Sequence, residues 1–463
     1  MRNTPPMDDL ISALSRIVGE NHVLSGHAIA PEYTHDEALT VAAVTPRAVV
    51  RPGSTADVSA ILALCSERRV PVVARGGGTG LSGACTPKPE SIVLSLERMR
   101  RIVEIDEENQ VAVCEPFVRL AELYAAAEEK HLMYPIVPGE NSATVGGNVG
   151  TNAGGMQAVK YGVTRHQVLG ITAVLASGEV IRSGGKFVKV SSGYDLTQLI
   201  IGSEGTLAIV TQVILKLVPR LPYRSTILAP FSTLEEVTRA VPKLLALGRQ
   251  PLMLEYIDML TMASILQRGA MDLGIPQTIR DRALAYLVIV TEGRDEERTA
   301  LDAQDLGAHC QELGALDVYM LPSQAGRKLI EAREQSFWAA KAAGAGDVID
   351  VVVPRAQISA FVGRASQIAQ RHAAFVVGCG HAGDGNVHFA IFHGEPDVRK
   401  SVTRELLSTG IELGGAISGE HGIGLAKKAH YMEFEDPVRL ALQRRIKQAF
   451  DPLDILNPGT IFD

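Results

Sequence analysis

The sequence predicts an α+β protein whose short strands and helices alternate without long βαβ crossovers. Two hairpin signals support this fold class. Apolar runs at 102–105 and 111–114 flank a polar Glu-Glu-Asn turn, and runs at 171–176 and 179–182 flank Ser177-Gly178. A doubly wound parallel sheet would instead place a crossover helix after each strand.

The other elements follow from hydrophobic periodicity along the chain. Apolar residues at helical spacing from Leu10 to Val18 predict an opening amphipathic helix. Residues 232–282 are predicted to be mostly helical. Further strands are predicted at 48–51, 71–75, 284–291, 348–353, 375–379 and 387–392, and further helices at 56–69, 118–130, 299–313, 355–372 and 437–450.

A change in composition near Pro219 marks a predicted domain boundary. We expect a first domain at 1–220, a second domain at 221–430 and a C-terminal segment at 431–463 that returns to the first domain. A chain of 463 residues is long enough for two or three domains with substantial cores.

The composition disfavours several function classes. The chain has 45 Lys and Arg against 52 Asp and Glu, and this net charge of −7 disfavours nonspecific nucleic-acid binding. No apolar run reaches about 18 residues and no signal-peptide core is evident, so neither a membrane span nor secretion is expected. Five scattered Cys residues without a CxxC pair argue for a reducing compartment and against an iron–sulfur module. We expect a cytoplasmic protein, either free or peripheral to a membrane.

Three glycine-rich loops are the most informative feature of the first half. The first loop, RGGGTGLSGA at 75–84, contains a formal GxGxxG after a predicted strand. Pro87 and Pro89 follow it, so the loop cannot open the helix that a Rossmann dinucleotide site requires. The second loop is PGENSATVGGNVGTNAGG at 138–155, and the third loop is GSEGTL at 202–207. One glycine cluster is usually a tight turn, but three indicate a large ligand held by backbone N–H groups.

These loops, with Tyr161-Gly162 and the GSEGTLAIVT run, resemble the FAD-binding domain of the vanillyl-alcohol oxidase superfamily. More narrowly, nearly the whole chain, including NPG at 457–459, is similar to the FAD-linked D-2-hydroxy acid dehydrogenases. That family includes D-lactate dehydrogenase, the glycolate oxidase catalytic subunit and D-2-hydroxyglutarate dehydrogenase. The resemblance implies a two-subdomain FAD-binding domain followed by an α+β substrate (cap) domain with an antiparallel sheet.

The resemblance also implies how FAD binds. The first loop would wrap the pyrophosphate, the second would follow the pyrophosphate, ribityl chain and flavin ring, and the third would lie near the adenine. Some relatives attach FAD covalently, but this chain has Thr79 at the His-like position and no Cys between 114 and 310, so noncovalent FAD is expected. The implied FAD-binding residues are Arg75, Gly76, Gly77, Gly78, Thr79, Gly80, Ser82, Pro138, Gly139, Ala143, Thr144, Gly146, Gly147, Gly150, Thr151, Asn152, Gly154, Gly155, Glu204, Gly205, Ile209 and Asn457.

The C-terminal half carries a histidine-rich hairpin signal, GHAGDGNVHF at 380–389. If 384–385 forms a two-residue turn, His381 faces His388 on one side of the ribbon, with Cβ atoms about 5 Å apart. A second patch, SGEHGIG at 418–424, adds Glu420 and His421. These side chains fit an open catalytic metal site or, alternatively, a hydrogen-bonded histidine pair beside a helix-capping Glu.

The resemblance implies roles for residues of the second half. The family's substrate-carboxylate arginine falls on Arg333. A lone Arg is more often part of a helix surface, here in an i, i+4 pair with Phe337 or a salt bridge to Glu331. Trp338, the only Trp, is expected in the core of the second domain. The implied metal ligands are His381, His388 and Glu420. The implied base is His421, which could alternatively only hydrogen-bond to Glu420.

The activity implied is FAD-dependent, metal-assisted oxidation of a D-2-hydroxy acid to the 2-oxo acid. A divalent metal, zinc or alternatively manganese or iron, would chelate the substrate carboxylate and hydroxyl, and His421 would take the hydroxyl proton. The electrons would pass to a quinone, a flavoprotein or a cytochrome, and a homodimer is one expected assembly.

Two departures from the family bear on the substrate. The 2-hydroxyglutarate enzymes carry a Lys where this chain has Val348, and an Asn where it has Ala390. A second carboxylate is costly to bury without a cation, so a D-lactate-like or larger apolar monocarboxylate is expected, unless Lys341 or Arg355 supplies the charge. Two remoter alternatives are an alkyl-dihydroxyacetone-phosphate synthase-like transferase and an accessory flavin subunit of a glycolate oxidase complex. The intact histidine set argues against the second alternative.

Overall fold

The computed structural model describes residues 7–269 and 271–462. It combines α-helices with largely antiparallel sheets, which confirms the predicted α+β class. The N-terminal residues 1–6, part of the segment searched for a signal peptide, lie outside the described residues. In the part of the chain that is described, no helix is long and apolar enough to cross a membrane.

The strands and helices have the following bounds. The strands are β1 (Val23–Leu24), β2 (Ala48–Val50), β3 (Val72–Arg75), β4 (Ile92–Ser95), β5 (Ile102–Asp106), β6 (Val111–Cys114), β7 (Leu132–Met133), β8 (Val168–Val174), β9 (Val180–Gly184), β10 (Ile209–Lys216), β11 (Val218–Pro219), β12 (Tyr223–Phe231), β13 (Met253–Asp258), β14 (Ala285–Gly293), β15 (Tyr319–Leu321), β16 (Asp347–Val352), β17 (Phe375–His381) and β18 (Asn386–Phe392). The α-helices are α1 (Met7–Val18), α2 (Thr55–Arg68), α3 (Leu120–Glu128), α4 (Val145–Thr151), α5 (Ala158–Tyr161), α6 (Thr164–Gln167), α7 (Leu196–Ile200), α8 (Leu234–Ala246), α9 (Met259–Gly269), α10 (Gln277–Arg280), α11 (Glu296–Glu312), α12 (Ser323–Glu334), α13 (Ser336–Ala342), α14 (Ile358–Arg371), α15 (Pro396–Glu412), α16 (Lys428–Phe434) and α17 (Pro437–Phe450).

The first sheet has four strands in the order β1-β2-β4-β3, and both β2 and β3 run parallel to β4. Helix α2 connects β2 to β3 and buries Val58, Ile61 and Leu62 in the core beside this sheet. The expectation of no βαβ crossover was therefore wrong here. Strand β4, which follows the proline-containing loop, was not predicted and pairs between the two strands that α2 connects.

The second sheet has five antiparallel strands in the order β5-β6-β10-β8-β9. The two predicted hairpins are β5–β6 and β8–β9, so both hairpin predictions are confirmed. Helices α3 and α4 contribute Leu123 and Val149 to the core beside this sheet. This packing fixes the middle of the second glycine-rich loop, because α4 spans residues 145–151 of that loop.

The third sheet has seven antiparallel strands in the order β15-β12-β14-β13-β17-β18-β16. Helices α8, α11, α14 and α15 cover one face, and α9 and α12 lie on the other. The prediction that 232–282 is mostly helical was wrong at β13, which lies at the centre of the sheet. Met253 to Ile257 are all buried, so this strand lacks the alternation that identifies a half-exposed strand.

The C-terminal segment packs against the first sheet. After α17, Leu456 pairs in parallel with Val72 of β3. Asn457 Nδ2 donates to the carbonyl oxygens of Ala84 and Glu204, at 2.9 and 2.8 Å. The end of the described chain thus joins the first and third glycine-rich loops.

Candidate active site

A cavity of about 510 Å³ separates the glycine-rich loops from the third sheet. All three loops contribute to one side of it. Residues of α9, α12, α13, β16, β17 and β18 and the 418–424 segment form the other side. The loops offer mainly backbone and the opposite side offers mainly side chains, so the two sides have different chemistry.

The first loop leaves β3 and opens no helix, as its two prolines predicted. Arg75 Nη1 donates to the His35 carbonyl at 2.7 Å, and the guanidinium lies under Gly78. A Cβ on Gly78 would approach Arg75 Nη2 to 1.9 Å, and its φ of 72° also favours glycine. The buried Arg75 side chain therefore packs directly against the loop at Gly78, where a side chain would not fit.

The second loop includes α4, whose N-cap Thr144 accepts a hydrogen bond from Gly147 N. Gly150 faces the cavity, and a Cβ there would meet no atom within 4 Å. Gly154 lies against the opposite side of the cavity, because its Cβ would come within 2.7 Å of Glu420 Oε2. The loop thus bridges the two sides of the cavity and leaves room for a ligand over α4.

The third loop contributes a buried carboxylate. The Glu204 oxygens accept hydrogen bonds from the backbone N–H groups of Ile423 and Gly424, at 2.7 and 2.8 Å. Burial raises the pKa of Glu204 to about 7. Glu204 therefore ties the third loop to the segment that carries Glu420 and His421.

Most of the predicted FAD-binding residues line the cavity. Asn152, Gly155 and Asn457 do not. Asn152 Oδ1 instead accepts from Arg165 N, and Gly155, with φ 122°, has no room for a Cβ beside the Val137 carbonyl. Asn152, Gly155 and Asn457 therefore contact the protein behind the loops, on the side away from the cavity. The residues that line the cavity are Arg75, Gly76, Gly77, Gly78, Thr79, Gly80, Ser82, Pro138, Gly139, Ala143, Thr144, Gly146, Gly147, Gly150, Thr151, Gly154, Glu204, Gly205 and Ile209.

Two buried polar atoms beside these loops indicate what the cavity holds. Ser82 Oγ and Asn148 Nδ2 lie in the cavity lining and have no hydrogen-bond partner in the protein. A buried polar atom without a partner is costly, so both sites fit a ligand with several hydrogen-bonding groups. Together with the open space over Gly150, this donor set fits FAD.

The histidine hairpin differs from the predicted register. His381 pairs with Asn386, and His388 pairs with Cys379, so the loop has four residues instead of two. Ala382 is fully buried and Gly383 N donates to the Leu254 carbonyl, so tertiary contacts shape the loop. The register shift is two residues, which preserves the face of each side chain. Both histidines therefore still project from one face, with ring centroids 5.1 Å apart.

Glu420 completes this cluster. Its Oε1 lies 3.2 Å from His381 Nε2 and 3.3 Å from His388 Nε2. The three ligand atoms lie within 4.8 Å of one another, close enough to share one metal ion. Although burial alone would raise it, the pKa of Glu420 is held well below its usual value by His381 and His388.

Glu255 orients His381 from behind. Its carboxylate oxygens lie 2.8 and 2.9 Å from His381 Nδ1, and a carboxylate only accepts, so Nδ1 donates. This leaves Nε2 facing Glu420. Although burial alone would lower it, Glu255 and Glu420 raise the pKa of His381 well above its usual value. A carboxylate placed behind a histidine in this way would hold the imidazole in the orientation that a metal ligand requires.

Asp350 organises the segment that carries Glu420 and His421. It is fully buried on β16, and its Oδ2 accepts from Ser418 Oγ and from the backbone N–H groups of residues 419–421, at 2.8–3.0 Å. Asn386 Nδ2 donates to its Oδ1 at 2.6 Å. His421 itself stacks beside His388, and burial lowers the pKa of His421 to about 4.

Arg333 projects from α12 into the same end of the cavity. Its Nη2 lies 2.9 Å from Glu255 Oε2, and its Nη1 donates to Ser336 Oγ at 3.1 Å. Although the side chain is buried, Nε has no hydrogen-bond partner in the protein, and Nη2 has only the ion pair with Glu255. The surface ion pair with Glu331 that the sequence left open is not present. Arg333 therefore has buried donors available for an anion.

Sequence reasoning missed Glu255 and Asp350 and misplaced Trp338. Glu255 lies in the stretch wrongly predicted to be helical. Asp350 left one signal, an acidic residue in the middle of the apolar run at 348–353. Trp338 lines the cavity, and its Nε1 donates to Glu140 Oε2 at 3.2 Å, so the expectation of a core position was wrong. Lys341 and Arg355 do not line the cavity.

Comparisons with known proteins agree with this geometry. A family model described as "FAD linked oxidases, C-terminal domain" matches residues 220–461, and one described as "FAD binding domain" matches residues 46–184. An uncharacterized FAD-linked oxidoreductase of Mycobacterium tuberculosis is 52% identical over 456 residues, which cover 98% of this chain and 99% of the relative. A D-lactate dehydrogenase of Archaeoglobus fulgidus is 38% identical over 441 residues, covering 93% of this chain and 95% of the relative.

A solved structure supports the fold. Substrate-bound p-cresol methylhydroxylase superposes with a TM-score of 0.83 at 19% identity, covering 98% of this chain and 97% of that chain. At this identity the likeness concerns the fold alone, which is that of the vanillyl-alcohol oxidase type. The chain, with its FAD-binding loops and its matched C-terminal domain, belongs to the FAD-linked oxidase family and is an FAD-dependent oxidoreductase.

Proposed function

We propose that this protein oxidises a D-2-hydroxy monocarboxylic acid to the 2-oxo acid with noncovalent FAD and a divalent metal. The observation that carries the proposal is the convergence of two imidazoles, one carboxylate and a buried arginine at one end of the cavity. Relatives named D-lactate dehydrogenase support the substrate class. The proposal assigns FAD binding to 1–220 with 431–463, and the substrate and metal to 221–430.

The metal would be held by His381 Nε2, His388 Nε2 and Glu420. Two imidazoles and one carboxylate leave coordination positions open for substrate and favour zinc, with manganese or iron as alternatives. When bound, such a metal polarises the substrate hydroxyl and lowers its pKa.

The protein's own residues would do the rest. Arg333 would bind the substrate carboxylate through Nε, which has no hydrogen-bond partner in the protein, and through Nη2, whose one close contact is the ion pair with Glu255. His421, held by the backbone contacts to Asp350, takes the hydroxyl proton. FAD held by the glycine-rich loops would supply the hydride acceptor for C2, and the external electron acceptor would be a quinone, a flavoprotein or a cytochrome.

The charge of the cavity supports a monocarboxylate. Among the described residues that line it, Arg75 and Arg333 are the only Lys or Arg. Arg75 lies in the first loop, so one cation remains at the histidine end. Val348 and Ala390 stand where 2-hydroxyglutarate enzymes carry polar side chains, and Lys341 pairs with Glu37. Oxidation of D-2-hydroxyglutarate or glycolate is the alternative within the same family.

The test is anaerobic mixing of FAD-loaded, metal-loaded protein with D-2-hydroxy acids. We expect D-lactate or a larger monocarboxylate to bleach the flavin absorption band at about 450 nm. Bleaching that is fastest with D-2-hydroxyglutarate would overturn the monocarboxylate assignment. No bleaching by any acid would overturn the proposed oxidation and favour a transferase or an accessory subunit. A cytoplasmic location and a homodimer remain part of the proposal, testable by fractionation and by sedimentation.

A further inference from the structure

The face of the third sheet that carries the histidines continues as an apolar wall. Asp350, His388 and Cys379 lie side by side on β16, β18 and β17. Such a set of residues paired across neighbouring strands is called a row here. Two residues further along each strand, away from the hairpin loop, the next row consists of Val348, Ala390 and Val377. In the row after that, Phe392 pairs with Phe375. All five apolar residues of these two rows line the cavity.

The strand geometry sets the length of this wall. Side chains directly opposite each other, or two residues apart on one strand, share a face, so all three rows face the same way. Each row lies about 7 Å from the previous one, since an antiparallel strand rises about 3.4 Å per residue. The two phenylalanine rings, 6.0 Å apart, therefore lie about 14 Å along the strands from the row of His388.

The wall runs from a buried end to an open end. Ala390, beside the histidine row, is 7% exposed, whereas Phe375 is 52% exposed. Leu260 of α9, another lining residue, is 43% exposed. Large apolar side chains in this position favour an apolar ligand, because covering them removes apolar area from water.

No charged side chain interrupts the wall. Asp350, in the histidine row, is fully covered and turned to the 418–421 backbone, and neither Val348 nor Val377 has a Lys or Arg beside it in its row. A methyl group at C2 of the substrate, as in lactate, would reach the first apolar row at most. The second row, about 7 Å further, would then have nothing to contact.

We propose that the preferred substrate carries a long unbranched or aromatic apolar side chain, which lies along Val348, Ala390 and Val377 and ends between Phe375 and Phe392. The substrate class is a medium-chain or aryl D-2-hydroxy acid. This inference rests on the 2-hydroxy acid oxidation proposed above and names the part of the substrate beyond C2.

The test compares D-lactate, D-2-hydroxybutanoate, D-2-hydroxyhexanoate, D-2-hydroxyoctanoate and D-3-phenyllactate in anaerobic flavin reduction. Each added methylene should raise kcat/KM about two- to fourfold until the tail passes the phenylalanines, the size expected for burying one methylene on a partly open wall. Equilibrium binding of 2-oxooctanoate and pyruvate to the oxidised enzyme, measured by calorimetry, should follow the same order.

Val377→Lys places a cation on the wall. The variant should lower kcat/KM for D-2-hydroxyoctanoate about tenfold relative to kcat/KM for D-lactate. It should raise kcat/KM for D-2-hydroxyglutarate relative to D-lactate. Val180→Lys is the matched control, since Val180 is a half-exposed valine on β9 outside the cavity. If Val377→Lys lowers the flavin content or the melting temperature, Phe375→Ser tests the same wall at its exposed end without introducing a charge.

The outcomes separate the two proposals. If no acid of the panel reduces the flavin, the oxidation itself fails. If D-lactate reduces it as fast as the longer acids, and Val377→Lys leaves the ratio unchanged, the oxidation stands and the long-chain inference is overturned. If the variants alter only reoxidation of the flavin by an added quinone, the wall belongs to the electron acceptor, and the inference is likewise overturned.

Discussion

The two sides of the cavity are built in opposite ways. The glycine-rich side comes from three contiguous segments and presents backbone, with Gly150 leaving space and Arg75 packed against Gly78 of the first loop. The opposite side collects side chains from three strands, three helices and the 418–424 segment. There, buried Glu255 and Asp350 hold the residues that face the cavity.

This difference predicts opposite sensitivities. The glycine-rich side should lose ligand affinity when a substitution adds a side-chain atom, because binding there depends on close approach of the backbone to the ligand. The histidine side should lose activity when a substitution removes a side-chain atom, because its function depends on particular nitrogen and oxygen atoms. Each substitution below tests one half of this comparison.

The largest effect is expected from removing a histidine. His388→Ala should reduce turnover below detection and lower the bound metal, while FAD stays bound, because the FAD loops lie on the other side of the cavity. Turnover, metal content and flavin absorbance check this. His393→Ala is the control, since His393 does not line the cavity. A variant that loses FAD but regains activity once flavin is restored would refute the metal assignment.

His421→Ala should lower turnover by about 10²–10⁴, the usual size of a general-base contribution. The metal content should stay unchanged, because the ligand atoms belong to other residues. Steady-state kinetics beside metal analysis checks both points. Near-normal turnover would remove His421 from the mechanism, and a loss of metal would reassign it as a ligand.

Glu255→Gln should weaken metal binding about 10–100-fold, the usual effect of losing a carboxylate behind a metal-binding histidine. It should also raise KM for the acid, since Arg333 lies against the same carboxylate. Calorimetric titration of the metal-free protein with zinc measures the first effect. Unchanged zinc affinity would show that Glu255 has a packing role only.

Gly150→Ala tests the glycine-rich side by addition. The new methyl group meets no protein atom, so the apo-protein should be as stable as before or slightly more stable, because Ala favours a helix over Gly. FAD affinity should fall about tenfold, since overpacking costs about 1–3 kcal/mol. Gly394→Ala is the control, at another open position outside the cavity. Unchanged FAD affinity would mean that Gly150 does not face the cofactor.

The smallest effect expected here is on the stability of the folded protein, and Glu204→Gln tests it. Folding raises the pKa of Glu204 from 4.5 to about 7, so the folded state favours the protonated form. Stability is therefore lost as the pH rises from about 4.5 through about 7, by at most about 3 kcal/mol. The variant should lose less stability over this range in melting experiments. If the melting temperatures of the wild-type protein and of Glu204→Gln change with pH in parallel, the Glu204 carboxyl is not the cause of the pH dependence.

The histidine hairpin shows how far local sequence reaches. The Asp-Gly signal placed a hairpin correctly at 375–392 but predicted a register two residues off, because Ala382 is buried and Gly383 bonds to Leu254. The two imidazoles still share a face, since strand side chains alternate with a period of two. A shift of one residue would have separated them.

Trp338 shows a different limit. Tryptophan is highly buried on average, and nothing in the neighbouring sequence indicated that Glu140, 198 positions away, would accept a hydrogen bond from its Nε1–H. Strand β13 was missed for a related reason, since a strand buried on both faces shows no alternation. Because Glu255 lies on β13, its position behind His381 could not be predicted either.

The sequence by itself determined the α+β class and the hairpins of the second sheet, and its resemblance to a known family indicated FAD. Glycine loops, prolines and turn residues act over a few neighbouring positions, so their physical meaning is local. Only the tertiary structure decided which groups support the histidines. Glu255 lies 126 positions from His381, and Asp350 lies 71 positions from His421. Such contacts arise when β13 and β16 take their places in the seven-stranded sheet, because burying a charged group requires partners that only the folded chain brings together.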